Sequence, residues 1–384
     1  MGHFTHFQVS KQSPPGTAGI HYRCTDALPN EIFRRTNQIG ALWGFFALPS
    51  DRKDQGTLTA VDMIDHPTPL PIHELRAQLG EHLQENVPMS SYTTARVGGH
   101  AAALLAVGSG DELEHAVQVL WNLEVPFFIL GSGANLLVSD RGFHGVVILN
   151  RAHQIKVDAA GDPPSVWAES GAVLGTIARR AGLRGLGGLE WAATVPGTLG
   201  GALYGNAGAF GGDMQQALIM AEILHPIDGR LSWTADRMEY DYRTSVLKRH
   251  PGQAVILAAR LRLQPSTPEA VKTAIAELSA KRRSTQPPGA SLGSMFKNPQ
   301  DDYAGRLIEA AGLKGMRVGG VQVSEVHANF FVNDESACAS DYWQLIQLVR
   351  RTVQEKFGVQ LELEIEPIGD WDSEMQLVEK RISE

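Results

Sequence analysis

Cysteine is nearly absent from this sequence, with only Cys24 and Cys338 among 384 residues. Two cysteines so far apart argue against a disulfide framework and against a thiolate metal site. Apolar runs are also short, because none approaches the roughly 18 residues that a membrane-spanning helix needs. An excess of basic residues is lacking too, since 34 Lys and Arg oppose 42 Asp and Glu for a net charge of -8. We therefore expect a cytoplasmic protein that binds neither membranes nor nucleic acid.

Glycine, in contrast, is abundant and clustered, with 40 residues in the chain. Hydrophobic residues make up 43% and charged residues 20%, which is typical of a folded globular protein. The length predicts two or three domains of about 150 residues each. Clustered glycines are typical of a backbone that approaches a ligand closely.

The N-terminal part of the chain differs from the rest. Residues 1–62 contain Pro-Pro-Gly at 14–16 and show no sustained period of a helix or a strand. We expect a weakly structured extension over 1–65, and Met63 is an alternative start of the protein. A C-terminal tail is expected over 371–384.

Regular hydrophobic patterns begin at Pro69. The spacing predicts helices at 73–83, 111–123, 174–181, 268–283, 303–311 and 341–357. It predicts strands at 102–107, 126–130, 146–149, 155–157, 166–168, 219–225, 231–233, 255–263, 321–323, 328–332 and 360–365. Residues 102–130 are therefore predicted to form a strand, a helix and a second strand in that order.

Two glycine-rich segments are candidates for cofactor binding. The first, 130–137, reads Leu-Gly-Ser-Gly-Ala-Asn-Leu-Leu and follows a predicted strand. Its backbone amides suit a phosphate group, although a plain glycine turn has the same composition. It is not the dinucleotide fingerprint, because Leu136 replaces the third glycine and a strand follows. The second segment, 187–212, holds three glycine clusters. A cofactor wall, that is, main chain against which a cofactor lies directly, explains this density of glycine better than close packing of backbone on backbone.

Ser294 lies in the segment 293–299, Gly-Ser-Met-Phe-Lys-Asn-Pro, which is predicted as a loop. Its hydroxyl, followed by a cation and an amide, suits proton donation to an anionic ligand. A serine beside a glycine is also an ordinary turn residue. The surrounding residues do not form G-x-S-x-G, which argues against a hydrolase nucleophile.

Two charged side chains complete the set of candidates. Arg243, in Tyr-Asp-Tyr-Arg-Thr-Ser, is able to bind a carboxylate or a developing enolate through its guanidinium, and a surface ion pair is the alternative. Glu364 alternates with Glu362 and Glu366, so the three share one face of a predicted strand, a pattern that most often marks a solvated face. The thirteen histidines show no H-E-x-x-H spacing, and we predict no metal site.

Taken in order, these motifs resemble those of the UDP-N-acetylenolpyruvoylglucosamine reductase family. The resemblance covers about residues 66–370 and includes 92–99, 130–137, 195–212, 242–245, 293–299, 307–315 and 363–369. It implies an α+β fold: a two-subdomain FAD-binding module of the vanillyl-alcohol-oxidase (PCMH-like) type over 66–283, then an α/β substrate-binding domain over 284–370. It also implies an FAD-dependent, NADPH-consuming reductase of UDP-N-acetyl-enolpyruvoylglucosamine in peptidoglycan precursor synthesis. We expect a monomer.

For the chemistry, the resemblance implies that hydride passes from flavin N5 to C3 of the substrate and that Ser294 gives a proton to C2. Arg243 and Glu364 then polarise the substrate carboxylate and stabilise an enol-like intermediate. Glu364 must be protonated or bridged by water in that role, because two bare carboxylates repel each other.

The resemblance also implies binding residues. Cofactor contacts are expected from Gly131, Ser132, Gly133, Ala134, Asn135, Leu136, Pro196, Gly197, Thr198, Gly200, Gly201, Asn206, Ala207 and Gly208. Substrate contacts are expected from Tyr242, Lys297, Asn298 and His327. The longer subclass of the family carries a substrate-binding tyrosine in an insertion before the last domain. Here 261–268 leads directly into a helix, so the chain resembles the shorter subclass, and no replacement for that tyrosine is identified.

Two other functions share part of this pattern of residues. One is another flavin oxidoreductase of the same cofactor fold, with FAD tethered to a histidine, for which the cofactor segments offer His100 and His144. The other is a non-catalytic nucleotide-sugar binding protein, which the combination of Ser294, Arg243 and Glu364 disfavours.

Overall fold

A computed structural model describes residues 69–371 of the chain. The predicted extension over 1–65, the alternative start at Met63 and residues 372–384 of the predicted tail lie outside the described residues.

The first part of the fold is a four-stranded sheet covered by a helix. Its elements are α1 (Ile72–Leu79), β1 (Gln84–Pro88), β2 (His100–Val107), α2 (Gly110–Asn122), β3 (Phe127–Leu130), β4 (Leu136–Val138) and β5 (Phe143–Asn150). The sheet order is β1-β2-β5-β3, with β1 antiparallel to β2 and the other pairs parallel. The predicted strand-helix-strand unit is confirmed, and β5 lies between its two strands. Helix α2 begins after Ser109, whose side chain accepts a hydrogen bond from the Glu112 amide.

The second part is built on an antiparallel sheet. Its elements are β6 (Ile155–Asp158), β7 (Ser165–Glu169), α3 (Leu174–Gly182), β8 (Leu186–Gly187), α4 (Leu199–Tyr204), β9 (Gly208–Ala209), β10 (Gly212–Asp213), α5 (Met214–Ala217), β11 (Leu218–His225), β12 (Gly229–Trp233), α6 (Val246–Arg249), β13 (Val255–Arg262), β14 (Gln264–Pro265) and α7 (Pro268–Thr285). The five-stranded order is β12-β11-β13-β7-β6. Helix α7 follows this sheet almost directly, with the Thr267 side chain as its cap, and runs two residues beyond the predicted boundary at 283.

The third part is a smaller antiparallel sheet with two helices. Its elements are β15 (Ala290–Ser294), α8 (Ala304–Ala310), β16 (Arg317–Val318), β17 (Val321–Val323), β18 (Phe330–Asn333), α9 (Ala339–Phe357) and β19 (Glu366–Ile368). The sheet order is β15-β18-β17-β16. Helix α9 packs Tyr342 and its apolar neighbours against Phe331, and Gly358 ends it in the left-handed conformation at φ 68°.

Two predictions around the last segments are wrong. The strand expected at 360–365 is reduced to one bridge between Leu363 and Phe296, and the regular ladder is β19, which pairs in parallel with β4. The bridge does not extend because Pro299 has no N–H and ends the partner segment. The loop expected at 293–299 begins two residues late, at 295, since Ser294 is the last residue of β15.

The C-terminal boundary also differs from the prediction. The sequence predicts Trp371 as the first residue of the tail, but this residue is only 6% exposed and its ring centroid lies 5.1 Å from that of Trp343. The described fold therefore extends to this residue.

Within residues 69–371, each helix is too short or too polar to span a bilayer.

The buried side chain of Asn333 joins the third part of the fold to the first, and its removal should therefore lower stability. Its Nδ2 donates to the Ala95 carbonyl at 2.7 Å, and its Oδ1 accepts from the Glu335 and Ala337 amides. In Asn333→Ala these groups lose their partners, and we expect the free energy of unfolding to fall by about 2–3 kcal/mol. Urea denaturation measures the change, with the exposed Asn122→Ala as the control. Equal effects of the two substitutions would contradict the role assigned to Asn333.

Candidate active site

A cavity of about 430 Å³ brings together residues from remote parts of the chain. The three predicted catalytic residues, Ser294, Arg243 and Glu364, all line it. Among the predicted substrate residues, Tyr242, Asn298 and His327 also line it. Lys297 is not among the lining residues, and its ammonium group lies 3.4 Å from the carboxylate of Glu362. Residues separated by more than a hundred positions in sequence therefore share one cavity.

Arg243 is held by a tight turn over residues 241–244. The Asp241 and Thr244 backbones exchange two hydrogen bonds of 3.2 Å, which leaves Arg243 at a φ of 57°. This left-handed conformation costs a non-glycine residue about 1 kcal/mol. Its Nε donates to Glu364 at 2.8 Å and its Nη2 to the Gly208 carbonyl at 2.9 Å. The guanidinium is thus fixed at two points, and no hydrogen bond to a described residue occupies Nη1.

Glu364 is held by its backbone on two sides. Its amide donates to the Met295 carbonyl at 2.9 Å, and its carbonyl accepts from Asn135 Nδ2 at 3.0 Å. Burial raises the pKa of the Glu364 carboxyl above its usual value, while Arg243 opposes that rise through its charge and hydrogen bond. The net change in the pKa of this carboxyl is upward, with burial as the largest cause.

Ser294 lines the cavity at the point where β15 ends. Gly293 precedes it with a φ of 78°, and the pairing of β15 with β18 is irregular between Ser291 and Ser294. The segment beyond it is fixed by the buried Asn329, which accepts a hydrogen bond from the Phe296 amide and donates to the Phe296 carbonyl. The Ser294 hydroxyl has no hydrogen-bond partner among residues 69–371, so it is available to a ligand.

Two predicted substrate residues present neutral donors. His327 Nδ1 accepts a hydrogen bond from the Asn329 amide, which places the ring proton on Nε2. Burial lowers the pKa of His327 below its usual value, and Lys314 adds to that effect. Asn298 Oδ1 accepts from the Ala304 amide, which leaves its NH₂ group as the free donor.

Several lining residues were not identified from the sequence, and four of them are polar. Tyr303, Arg306 and Glu309 lie on or just before α8, three residues apart, and all face the cavity. Spacing of this kind puts side chains on one helix face, so the pattern could have revealed them. Asn329 gave no comparable signal, because its importance comes from backbone groups remote in sequence.

A second cavity, of about 310 Å³, adjoins the first glycine segment. Gly131 and Ser132 line it, together with Tyr92–Thr94, Leu149 and Arg151. Gly133 has a φ of 65°, and a Cβ on it would lie 2.0 Å from the Tyr92 carbonyl oxygen. Glycine is therefore required for this turn.

The two glycine segments meet in space. A Cβ on Gly131 would lie 2.3 Å from Thr198 Oγ1, and Gly197 has a φ of 134° with open space where its Cβ would be. Gly200, in contrast, packs against Ser170, since a Cβ on it would lie 3.0 Å from the Ser170 Cβ. Close packing therefore explains Gly200, whereas Gly197 faces open space and its place in a cofactor site stays a prediction.

Some predicted cofactor residues contact protein groups that position the catalytic side chains. Asn135 bonds to Glu364, and the buried Asn206 donates to the Asp241 carbonyl of the turn that carries Arg243. Gly208 accepts from Arg243 through its carbonyl. Ala134, Leu136, Pro196 and Ala207 lie in the same two segments, with Leu136 and Ala207 tied into the backbone hydrogen bonding there.

Comparison with known proteins identifies the family. Residues 285–368 match the family model of the UDP-N-acetylenolpyruvoylglucosamine reductase C-terminal domain, and residues 101–235 match an FAD binding domain. The Chloroflexus aggregans UDP-N-acetylenolpyruvoylglucosamine reductase is 43% identical over 291 residues, which are 74% of this chain and 97% of that protein. The Bacillus subtilis protein of the same name is 38% identical over 301 residues, 78% of this chain and 98% of its own length. The chain belongs to the UDP-N-acetylenolpyruvoylglucosamine reductase family.

A solved structure agrees with this assignment. The reductase from Thermus caldophilus superposes with a TM-score of 0.63 at 35% identity, covering 74% of this chain and 99% of that one. The chain is therefore an FAD-dependent oxidoreductase, and the predicted fold class, an FAD-binding module followed by a substrate-binding domain, is confirmed.

The residues of this reductase fit FAD. Side chains are excluded at Gly131 and Gly133, and the cavity beside them is lined by the hydroxyl-bearing residues Ser132, Thr93 and Thr94. Arg151, which the sequence analysis missed, adds a guanidinium there, and this combination suits a diphosphate. Nothing in the pattern around Arg151 marked it.

Gly201 provides a test of the cofactor wall. It is an exposed residue of α4, and a Cβ on it would have no neighbour closer than 3.8 Å. In Gly201→Ala the folded apoprotein should be as stable as the wild type, because alanine favours a helix by about 1 kcal/mol over glycine. FAD affinity should nevertheless fall, because the added methyl group occupies the wall.

Fluorescence of released flavin and thermal unfolding measure the two effects separately. The matched control is Gly110→Ala in α2, where the new Cβ would lie 3.5 Å from Glu169. Unchanged FAD retention in Gly201→Ala would remove Gly201 from the cofactor site.

Proposed function

We propose that this protein reduces the enolpyruvyl double bond of UDP-N-acetyl-enolpyruvoylglucosamine to give UDP-N-acetylmuramate, with NADPH as the electron source, in peptidoglycan precursor synthesis. The observation that carries the proposal is that Ser294, Arg243 and Glu364 line one cavity in a member of this reductase family. We also propose that the protein is a cytoplasmic monomer, and its net charge of -8 argues against nucleic acid as a partner.

The redox step belongs to the cofactor. When bound, FAD would supply the hydride chemistry between NADPH and C3 of the enolpyruvyl group, and the glycine segments 131–136 and 196–208 would hold it. Protein residues bind the substrate and supply the proton that saturates C2.

Arg243 is the proposed carboxylate-binding residue. Hydride addition to an unsaturated acid builds negative charge on the carboxylate side, so a cation there stabilises the transition state more than the ground state. Its Nε and Nη2 are occupied by Glu364 and Gly208, which fixes the plane of the guanidinium. The remaining donors on Nη1 are then presented in a fixed direction.

Glu364 is the proposed partner of the same carboxylate. Glu364 in this role is either protonated or bridged to the substrate by water, and its raised pKa supports the first of these. A protonated carboxyl donates a hydrogen bond to the substrate carboxylate, whereas an ionised one would repel it. The second oxygen of Glu364 keeps its contact with Arg243.

Ser294 is the proposed proton donor. Its hydroxyl meets no protein acceptor within the described residues, and the backbone on both sides is held by β15 and by Asn329. A serine hydroxyl is a weak acid, but the carbanion-like C2 is strongly basic and lies within hydrogen-bond reach in this role. One bond forms between C2 and the proton, and the serine regains a proton from solvent.

The Ser294→Ala variant tests the proton donor. Flavin reduction by NADPH should stay near the wild-type rate, and reoxidation by the sugar nucleotide should slow by about 10²–10⁴-fold, as expected for loss of a general acid. Stopped-flow absorbance under anaerobic conditions measures both half-reactions. Ser291→Ala, on the same strand but away from the cavity, is the control. Fast reoxidation in Ser294→Ala would mean that another group gives the proton.

The Arg243→Lys variant tests whether geometry or charge matters. A lysine has one ammonium group and is unable to hold Glu364, Gly208 and a substrate carboxylate at once, so kcat/KM should fall by about 10²-fold or more. Steady-state NADPH oxidation gives the value, with the exposed Arg249→Lys as the control. A nearly normal kcat/KM in Arg243→Lys would show that a positive charge alone suffices.

The rival flavin oxidase differs in two observable ways. Acid denaturation releases FAD from a non-covalent complex but not from a histidine-tethered one, and NADPH oxidation depends on the sugar nucleotide only in the reductase. Neither His100 nor His144 lines either of the two described cavities.

A further inference from the structure

Three ion pairs lie in a row along residues 362–366. Glu362 pairs with Lys297 at 3.4 Å, Glu364 with Arg243 at 2.8 Å, and Glu366 with Lys248 at 2.5 Å. The first pair is an ordinary surface contact, because the Glu362 side chain is 75% exposed. The third pair is much more enclosed, with Lys248 15% and Glu366 28% exposed. The proposed chemistry leaves this pair without a role.

The backbone ties both members of the third pair to the active site. Lys248 lies in α6, and its amide bonds to the side chain of Ser245, two residues after Arg243. The Glu366 amide donates to the Asn135 carbonyl at 2.8 Å, next to the point where Asn135 holds Glu364. The buried Oε1 of Glu366 has no hydrogen bond of good angular geometry, so its contact with Lys248 Nζ is chiefly one of charge.

We propose that Lys248 and Glu366 are positioning residues for Glu364, a balanced pair of charges that holds residues 364–366 beside the Arg243 turn and sets how readily Glu364 carries its proton. The pair acts through Glu364 and does not line the substrate cavity. Its link to turnover rests on the proposed function, whereas its effect on Glu364 does not.

The charges of Lys248 and Glu366 have opposite effects on the pKa of Glu364. The Lys248 ammonium lowers the pKa of Glu364, against the rise that burial causes. A lone Glu366 carboxylate, with Lys248 removed, would raise it further, because a like charge disfavours ionisation. The other charged or titratable groups around Glu364 are Arg243, Lys297, Glu362, Tyr303, Arg306, Glu309 and His327. Beside Glu366 lies Tyr204, whose pKa is raised by burial and, to a lesser extent, by the Glu366 charge. Substitution of Lys248 alone and of Glu366 alone should therefore shift the pKa of Glu364 in opposite directions.

Titration of Glu364 by ¹³C NMR in the FAD-loaded, full-length protein tests this directly. The carboxyl signal is assigned by its loss in Glu364→Gln. Lys248→Met should raise the Glu364 pKa by about one unit and Glu366→Gln should lower it, while the double variant should return close to the wild type. Lys248→Arg should preserve it. The control is Arg249→Met in the same helix, whose partner Glu239 lies on the surface.

Shifts in the same direction for Lys248→Met and Glu366→Gln, or shifts no larger than in Arg249→Met, would overturn the inference. The pH profile of flavin reoxidation by the sugar nucleotide should move with the NMR values. A wild-type protein that fails to use the sugar nucleotide would contradict the proposed function instead, and the NMR titration would still decide the role of the pair. If Lys248→Met does not fold, the pKa of Glu364 is compared between Glu366→Gln, which should lower it, and Lys248→Arg, which should preserve it.

Discussion

One extended segment, residues 362–368, holds the active site together. On one side it bonds to the chain at 295–297, where Glu364 donates to Met295 and Lys297 donates to Glu362. On the other side it pairs as β19 with β4, immediately after the first glycine segment. Its side chains reach a third region, the turn and short helix that carry Arg243 and Lys248. The first glycine segment, the end of β15 and the turn that carries Arg243 are therefore fixed relative to one another by a single stretch of backbone.

The electrostatic consequence is that burial and nearby charges together shift the pKa values of ionisable groups in the site. Two opposing effects act on Glu364: burial favours its neutral form, and nearby cations favour its charged form. His327 is neutral for the same reason of burial, and its tautomer is set by the Asn329 amide. Because the Ser294 hydroxyl has no protein acceptor among residues 69–371, a ligand does not have to displace one. Such preorganisation is what stabilises charge that develops during a reaction.

The sequence predicted most of the secondary structure, because the helices and strands of the two larger sheets carry strong local hydrophobic periods. It also predicted the glycine segments and the three catalytic candidates. The strand at 360–365 was wrong because alternation alone does not reveal the partner: Pro299 ends the partner segment after one bridge. Arg151 and Asn329 were missed since their roles depend on backbone that lies far away in sequence. Tyr303, Arg306 and Glu309 did carry a signal, a spacing of three along α8, and it was not used.

The most direct test of this account is a crystal structure of the FAD-loaded protein with the enolpyruvyl sugar nucleotide bound. The account predicts that the substrate carboxylate contacts Arg243 and Glu364 together, with Ser294 Oγ within hydrogen-bond distance of C2 and flavin N5 facing C3. A substrate whose double bond lies away from Ser294, or whose carboxylate is bound by other residues, would contradict it.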